Sequence, residues 1–160
     1  GWNTMAVMVP PAVTEASMEN LQAYQLQLLE RLKVVMQEAE SKPGTIVVIG
    51  LGHSGALLNN LYKNEELSPP QALVLIGAAM QDVALNEQVA EAISQHKVPT
   101  LDLLPQTDNG FARNSGVLRL QLVRKHIKEI YRQRLLPGSV EQDHPWLGGE
   151  ILGWLRYIGY

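Results

Sequence analysis

Three runs in this chain, Thr45–Ile49, Ala72–Ile76 and Val98–Leu104, consist mostly of aliphatic or β-branched residues and show no polar/apolar alternation. A strand with one wet face alternates. A strand that does not alternate is buried on both faces, which implies a parallel sheet covered by helices. The intervening segments agree. Glu19–Ala39 carries Leu21, Tyr24, Leu28, Leu32, Val35 and Ala39 at the three- and four-residue spacing of an amphipathic helix, and Ser41-Lys42-Pro43-Gly44 stops it. Gly55–Tyr62, Asn86–Gln95 (Val89, Ala90 and Ile93 on one side) and Val117–Tyr131 (Leu118, Leu122, Val123, Ile127 and Ile130 inward) read as helices. Trp146–Tyr157 reads as a terminal helix despite Gly148, Gly149 and Gly153. Thr4–Val9, closed by Pro10-Pro11, reads as a buried first strand, and Tyr131–Leu136 as a fifth. The expected fold is α/β: a mostly parallel sheet with helices on both faces, forming one domain over residues 1–160.

Composition narrows the function classes. The 160 residues are 46% hydrophobic and 18% charged, the values of a globular protein. The net charge is −3 and no basic face is evident, so nucleic acid is not an expected partner. The apolar runs are strand-length, far short of the roughly 20 residues that span a bilayer. There is no cysteine and no His-x-x-x-His pair, so neither a metal nor any other cofactor is expected. The chain opens Gly1-Trp2-Asn3 rather than with Met and passes at once into a strand-like run, which reads as a fragment of a longer protein.

The chemistry-bearing stretch is Thr45-Ile-Val-Val-Ile-Gly-Leu-Gly-His-Ser-Gly-Ala56. A strand, a sharp turn of small residues and a helix follow one another, the layout of a nucleophile elbow with Ser54 at its tip. In an open α/β sheet, ligands sit beyond the carboxyl ends of the strands. Asp108 follows the fourth strand and His144 the fifth, so Ser, Asp and His occur in triad order on loops at one edge. The roles follow from the chemistry. His144 would take the Ser54 proton and return it to the leaving group, while Asp108 would fix the imidazole tautomer. The Gly55 N–H, at a helix N-terminus, would donate to a developing oxyanion.

Each residue also has a plainer role. Gly-x-Ser-x-small turns occur in many α/β proteins; Asp-Asn-Gly is turn chemistry; His144 alone would be a surface-loop histidine. Other groups compete for the acid. Asp102 lies within the fourth strand as a candidate buried, hydrogen-bonded group, Asp82 follows the third strand, and Asp143 adjoins His144 but points apart from it. His53 reads as a supporting group beside the serine, and His96 and His126 as solvated. Gly50, Gly52 and Gly55 also match the Gly-x-Gly-x-x-Gly dinucleotide fingerprint, but no acidic residue follows about 20 residues on. Only Met80–Glu91 has room for a cap, so any lid is small. Trp2, Trp146, Trp154, Tyr157 and Tyr160 read as core or interface aromatics.

The order of elements and the three loops resemble the α/β-hydrolase superfamily, and Val98-Pro99-Thr100-Leu101 leading to Asp108 is similar to its acid-bearing strand and loop. Gly1-Trp2-Asn3-Thr4, Leu101-Asp102, Tyr131-Arg-Gln133, Leu136-Pro137-Gly138 and Gly153-Trp154-Leu155 resemble an uncharacterised bacterial family of that superfamily, a domain of unknown function. The elbow has Ala56 where glycine is usual. The strand and His-Gly-type loop that normally supply the second oxyanion donor do not precede the segment at Gly1. The resemblance implies a serine hydrolase acting on a small ester or acyl substrate, with a periplasmic or exported location plausible and a cytoplasmic one open. A non-catalytic binding protein of the same fold is the alternative, and a nucleotide-binding domain a third. Substrate and oligomeric state are not readable.

Overall fold

The computed structural model describes residues 2–10, 18–107, 110–138 and 146–160. The unalternated runs lie side by side in sequence order as β1 (Val47–Leu51), β2 (Ala72–Ile76), β3 (Thr100–Pro105) and β4 (Tyr131–Leu136), parallel throughout. Val47 faces Ala72, Leu73 faces Thr100, and Thr100 faces Tyr131. Every residue of β2 and β3 is buried.

Because each new strand is added at the same edge, right-handed crossovers put all the connecting helices on one face. That face carries α1 (Met18–Glu40), α2 (Gly52–Lys63), α3 (Val83–Gln95) and α5 (Gly116–Lys125). Tyr24, Leu28, Leu57, Leu61, Ile93 and Val123 pack there on Leu73 and Leu75. The opposite face holds the alternate residues Ala72, Val74, Ile76, Leu101 and Leu103. It is covered by α6 (Leu147–Tyr157) through Trp154 and Leu155. A short helix, α4 (Gly110–Asn114), which periodicity did not suggest, seats Ala112 near Leu104 and Ala79.

Two expectations need correction. Thr4–Val9 is not a strand. β1 pairs with β2 alone, so this segment has no sheet partner; Met5 and Met8 are exposed, and Arg31 Nη1 donates to the Met8 carbonyl at 2.6 Å. The helix expected over Val117–Tyr131 stops at Lys125. Ile127 takes φ +54, and the Ile127 and Lys128 amides donate back to the Arg124 and Val123 carbonyls, a Schellman closure that leaves the Ile127 side chain in solvent. Of the aromatics read as core or interface, Trp154 is core, and Trp2, Trp146, Tyr157 and Tyr160 are exposed in the single chain. Among the described residues no helix is long and apolar enough to cross a membrane.

Two buried polar networks pin the layers. In the first, Asp102 on β3 and Arg119 on α5 are both fully buried. Arg119 Nη1 donates to both Asp102 oxygens at 3.0 Å, and Nη2 donates to the Ala78 carbonyl beyond β2. The Tyr131 hydroxyl donates to Asp102 at 2.7 Å, and Gln133 Nε2 donates to that hydroxyl and to the Gly116 carbonyl, both at 3.0 Å. Burial first, and the Asp102 carboxylate second, push the Tyr131 pKa up. Asp102 is thus the buried, hydrogen-bonded group its place in the strand suggested.

The second network corrects the reading of His96 as solvated. Asn59 Nδ2 donates to the Gly55 carbonyl at 2.8 Å, which leaves its Oδ1 to accept from His96 Nε2 at 3.0 Å. His96 Nδ1 is therefore an acceptor and takes a bond from Lys128 Nζ at 3.1 Å. The ring is neutral, in a single tautomer. Burial, then the Lys128 charge, lowers the His96 pKa to about 3, and burial lowers Lys128 to about 7. His126 is likewise half-buried, its Nδ1 2.7 Å from Ser94 Oγ.

Two tests follow. Arg119→Met strands the Asp102 carboxylate in the interior and should cost about 3–5 kcal/mol in urea denaturation, whereas adding Asp102→Leu should recover part of that loss. Simple additivity of the two variants would show that the groups act independently. For Lys128, the unfolded chain keeps its proton to about pH 10.5 while the folded chain releases it near pH 7. Between these values the unfolded state binds more protons, so stability rises with pH. Melting curves from pH 7 to 9 should show that rise, and Lys128→Met should flatten it.

Candidate functional site

The junction between β1 and α2 is built on two glycines that nearly touch. A Cβ added at Gly50 would lie 2.7 Å from Gly55 Cα and 2.8 Å from Leu58 Cδ1, and one added at Gly55 would lie 2.8 Å from the Gly50 carbonyl group. Strand and helix cross so closely that a side chain on either residue has no room. The corner itself is Gly52, at φ +49, with nothing within 4 Å of the place a Cβ would occupy. Gly52 supplies the left-handed residue that lets the chain turn, so α2 begins there, three residues before the expected Gly55.

Ser54 consequently lies in the first turn of α2, two residues past the corner, and is half-buried. With Leu51 as the N-cap, the amides of Gly52, His53 and Ser54 have no acceptor within the helix, and Gly55 is the first residue whose amide falls in the helical bonding pattern. His53 turns to α1, its ring edge-on to Tyr24 with centroids 5.5 Å apart, and partial burial lowers its pKa.

Asp108 and His144 lie outside the described residues. The segments leading to their loops leave the sheet together: the Gln106 amide donates to the Leu136 carbonyl at 2.9 Å and Thr107 to Gly138 at 3.2 Å. Arg113 Nη1 braces the same turn by donating to the Gln106 carbonyl at 2.7 Å. The ends of β1 and β3 flank β2, which puts them roughly 10 Å apart at about 4.8 Å per strand.

Of the competing carboxylates, Asp143 also lies outside the described residues, and the other two have structural work. Asp82 is the N-cap of α3 and accepts from the Leu85 amide at 2.9 Å. Asp102 is held by Arg119 and Tyr131. One Ser/His/Glu cluster went unnoticed in the sequence: Ser94 Oγ and Glu91 Oε2 lie 2.7 and 3.8 Å from His126 Nδ1. Both approach the same ring nitrogen, so the carboxylate cannot orient a base that works through the other one. Ser94 is also buried. Its backward bond to the Glu91 carbonyl at 2.6 Å marks this cluster as a pin between α3 and the end of α5. Among the described residues no group of three His, Asp or Glu side chains is placed to hold a metal.

What sequence reasoning missed is the role of Gly52. The signal was present, because Gly50-Leu-Gly52 and Gly52-His-Ser54 are both Gly-x-residue steps and either could form the corner. Gly50→Ala should cost about 1–3 kcal/mol through overpacking against backbone. Gly52→Ala should cost only the roughly 1–2 kcal/mol of a left-handed alanine. Paired urea titrations check this ordering, and a larger loss in Gly52→Ala than in Gly50→Ala would refute the assignment of Gly50 to close packing and Gly52 to the corner.

No curated protein and no solved structure matches the chain. Residues 3–157 match the family described as a protein of unknown function, DUF3530, and the chain belongs to that family.

Proposed function

We propose that this chain is a non-catalytic binding domain on an α/β-hydrolase-like frame, taking a small acyl-bearing molecule at the carboxyl edge of its sheet. The observation that carries this reading is Gly52. A nucleophile elbow presents its reactive side chain from the strained residue of the strand–helix corner. Here that residue has φ +49 and no side chain. The crossing of Gly50 and Gly55 sits two residues before and three after it, the small-residue frame such a corner needs. The edge around it is also lined by small residues: Gly77, Ala78 and Ala79 follow β2.

The second reading, a serine hydrolase for esters or related acyl bonds, is favoured by the position of Ser54 two residues from the same corner, partly open to solvent. Ser54 would attack, His144 would serve as base and then acid, Asp108 would orient it, and the Gly55 amide would help to hold the oxyanion.

A fluorophosphonate probe separates the two. The binding-domain reading expects no labelling of the wild-type protein above that of Ser54→Ala. Wild-type labelling that disappears in Ser54→Ala would overturn it and establish the hydrolase. A parallel Gly52→Ser variant tests the corner itself, since a serine there should gain labelling if the rest of the machinery converges on that point.

A further inference from the structure

α6 carries glycine where its own fold has no use for it. Gly149 and Gly153 lie inside Leu147–Tyr157, and neither takes a left-handed φ. A Cβ added at either would meet nothing within 4 Å among the described residues, whereas one added at Gly50 or Gly55 would strike backbone. Glycine is the poorest helix former after proline, so alanine at these positions would strengthen the helix of a single chain. Glycines four residues apart on one helix face do have a use between helices, because they let a second helix approach to backbone distance.

At about 3.6 residues per turn, Gly149, Gly153 and Arg156 fall on one line of α6. That line faces away from Trp154 and Leu155, which seat the helix on the sheet. Leu152 and Tyr157 flank it on opposite sides and are 39% and 76% exposed.

The line is self-complementary about Gly153. Gly149 lies four residues before it and Tyr157 four after; Glu150 lies three before and Arg156 three after. A second α6, antiparallel and related by a two-fold axis at Gly153, sets each of these against its counterpart. Gly153 meets Gly153, the Tyr157 ring lies over the bare backbone of Gly149, and the Arg156 guanidinium faces the Glu150 carboxylate. Both side chains are already placed within the chain: Arg134 Nε donates to Glu150 Oε1 at 2.7 Å, and Arg132 lies over one face of the Tyr157 ring, 5.0 Å from its centroid.

These features select the occupant. A lipid surface rewards apolar side chains and cations, and gains nothing from bare glycine or from Glu150. An isologous contact requires one surface to complement itself, with a bulge at one position matched by a gap at its two-fold mate and a base matched by an acid. A second copy of this chain supplies the tyrosine for the glycine gap and the arginine for the glutamate at the matching offsets.

We propose that the outer face of α6 pairs antiparallel with α6 of a second copy, crossing at Gly153 in a two-fold dimer. This is independent of the reactivity of Ser54. One helix pair sits at the low end of specific interfaces, below about 1,200 Å², so the dimer is weak and reversible.

Sedimentation equilibrium over the micromolar to millimolar range should show monomer and dimer in exchange. Gly153→Leu has room for its side chain in the single chain and should weaken the dimer by about tenfold or more with the fold intact. Gly153→Ala should raise the melting temperature at high dilution yet weaken association, two effects of opposite sign. Glu150→Arg and Arg156→Glu should each fail to self-associate, and a mixture of the two variants should dimerise, since it restores an acid against a base at both crossing points. The chain has no cysteine, so an introduced one reports its own contacts. Gly153→Cys, on the axis, should join two copies by a disulfide under mild oxidation, and Gly148→Cys, off the crossing line, should not. The proposal is overturned by a chain that stays monomeric throughout, by a dimer that Gly153→Leu leaves intact, by a charge-variant mixture that remains monomeric, or by equal cross-linking at the two cysteine positions.

Discussion

A guanidinium and a carboxylate with no access to water lie where β3, β4 and α5 meet, and much of the molecule is arranged around that pair. Neither charge survives there alone, because taking an ion out of water costs several kcal/mol that only a partner can offset. Asp102 draws in Tyr131, Tyr131 draws in Gln133, and Gln133 reaches the first residue of α5. The remaining arm of Arg119 holds the Ala78 carbonyl, and Ala78 lies against Gly55 at the head of α2. One ion pair thus links the strand order, the position of α5 and the corner at the edge of the sheet. The neutral His96 network does the same from below, joining the Gly55 carbonyl through Asn59 to the end of α3 and to Lys128.

The corner owes its shape to an absence of side chains. Gly50 and Gly55 let strand and helix approach to backbone distance, and Gly52 lets the chain reverse within one residue. Such a frame can display a reactive group, and the same frame with glycine at its tip displays main-chain amides alone. The helix N-terminus behind it favours negative charge or a polarised carbonyl in either case.

The layered α/β architecture was readable because burial on both faces leaves a direct mark. β2 and β4 fall on Ala72–Ile76 and Tyr131–Leu136 as the sequence reading placed them, and α1 extends the expected helix by one residue at each end. The failures share a cause: each depended on something outside the local pattern. Thr4–Val9 has the composition of a strand, yet a strand exists only where a neighbour pairs with it. Ile127 fits the apolar period of α5, but helix closure needed a left-handed residue there and took it despite a β-branched side chain. Arg119 sits on the inward-facing period of α5, three and four residues before Leu122 and Val123, where a charge is out of place, and only a carboxylate on another element makes its burial tolerable. At the corner, two overlapping glycine patterns one step apart are equivalent on paper, and backbone dihedrals decide between them.

Strand order that repeats sequence order has a consequence for assembly. Each strand can add to an edge formed by the strand before it, so the sheet can grow in the direction of synthesis, with no later segment needing to insert between earlier ones. The helices of the first face arrive with their strands. The second face has a different history, because Ala72, Val74, Leu101 and Leu103 wait for Trp154, near the far end of the chain. Until α6 is made, a folded sheet presents that surface bare, and a nascent chain in this state is the form most exposed to aggregation.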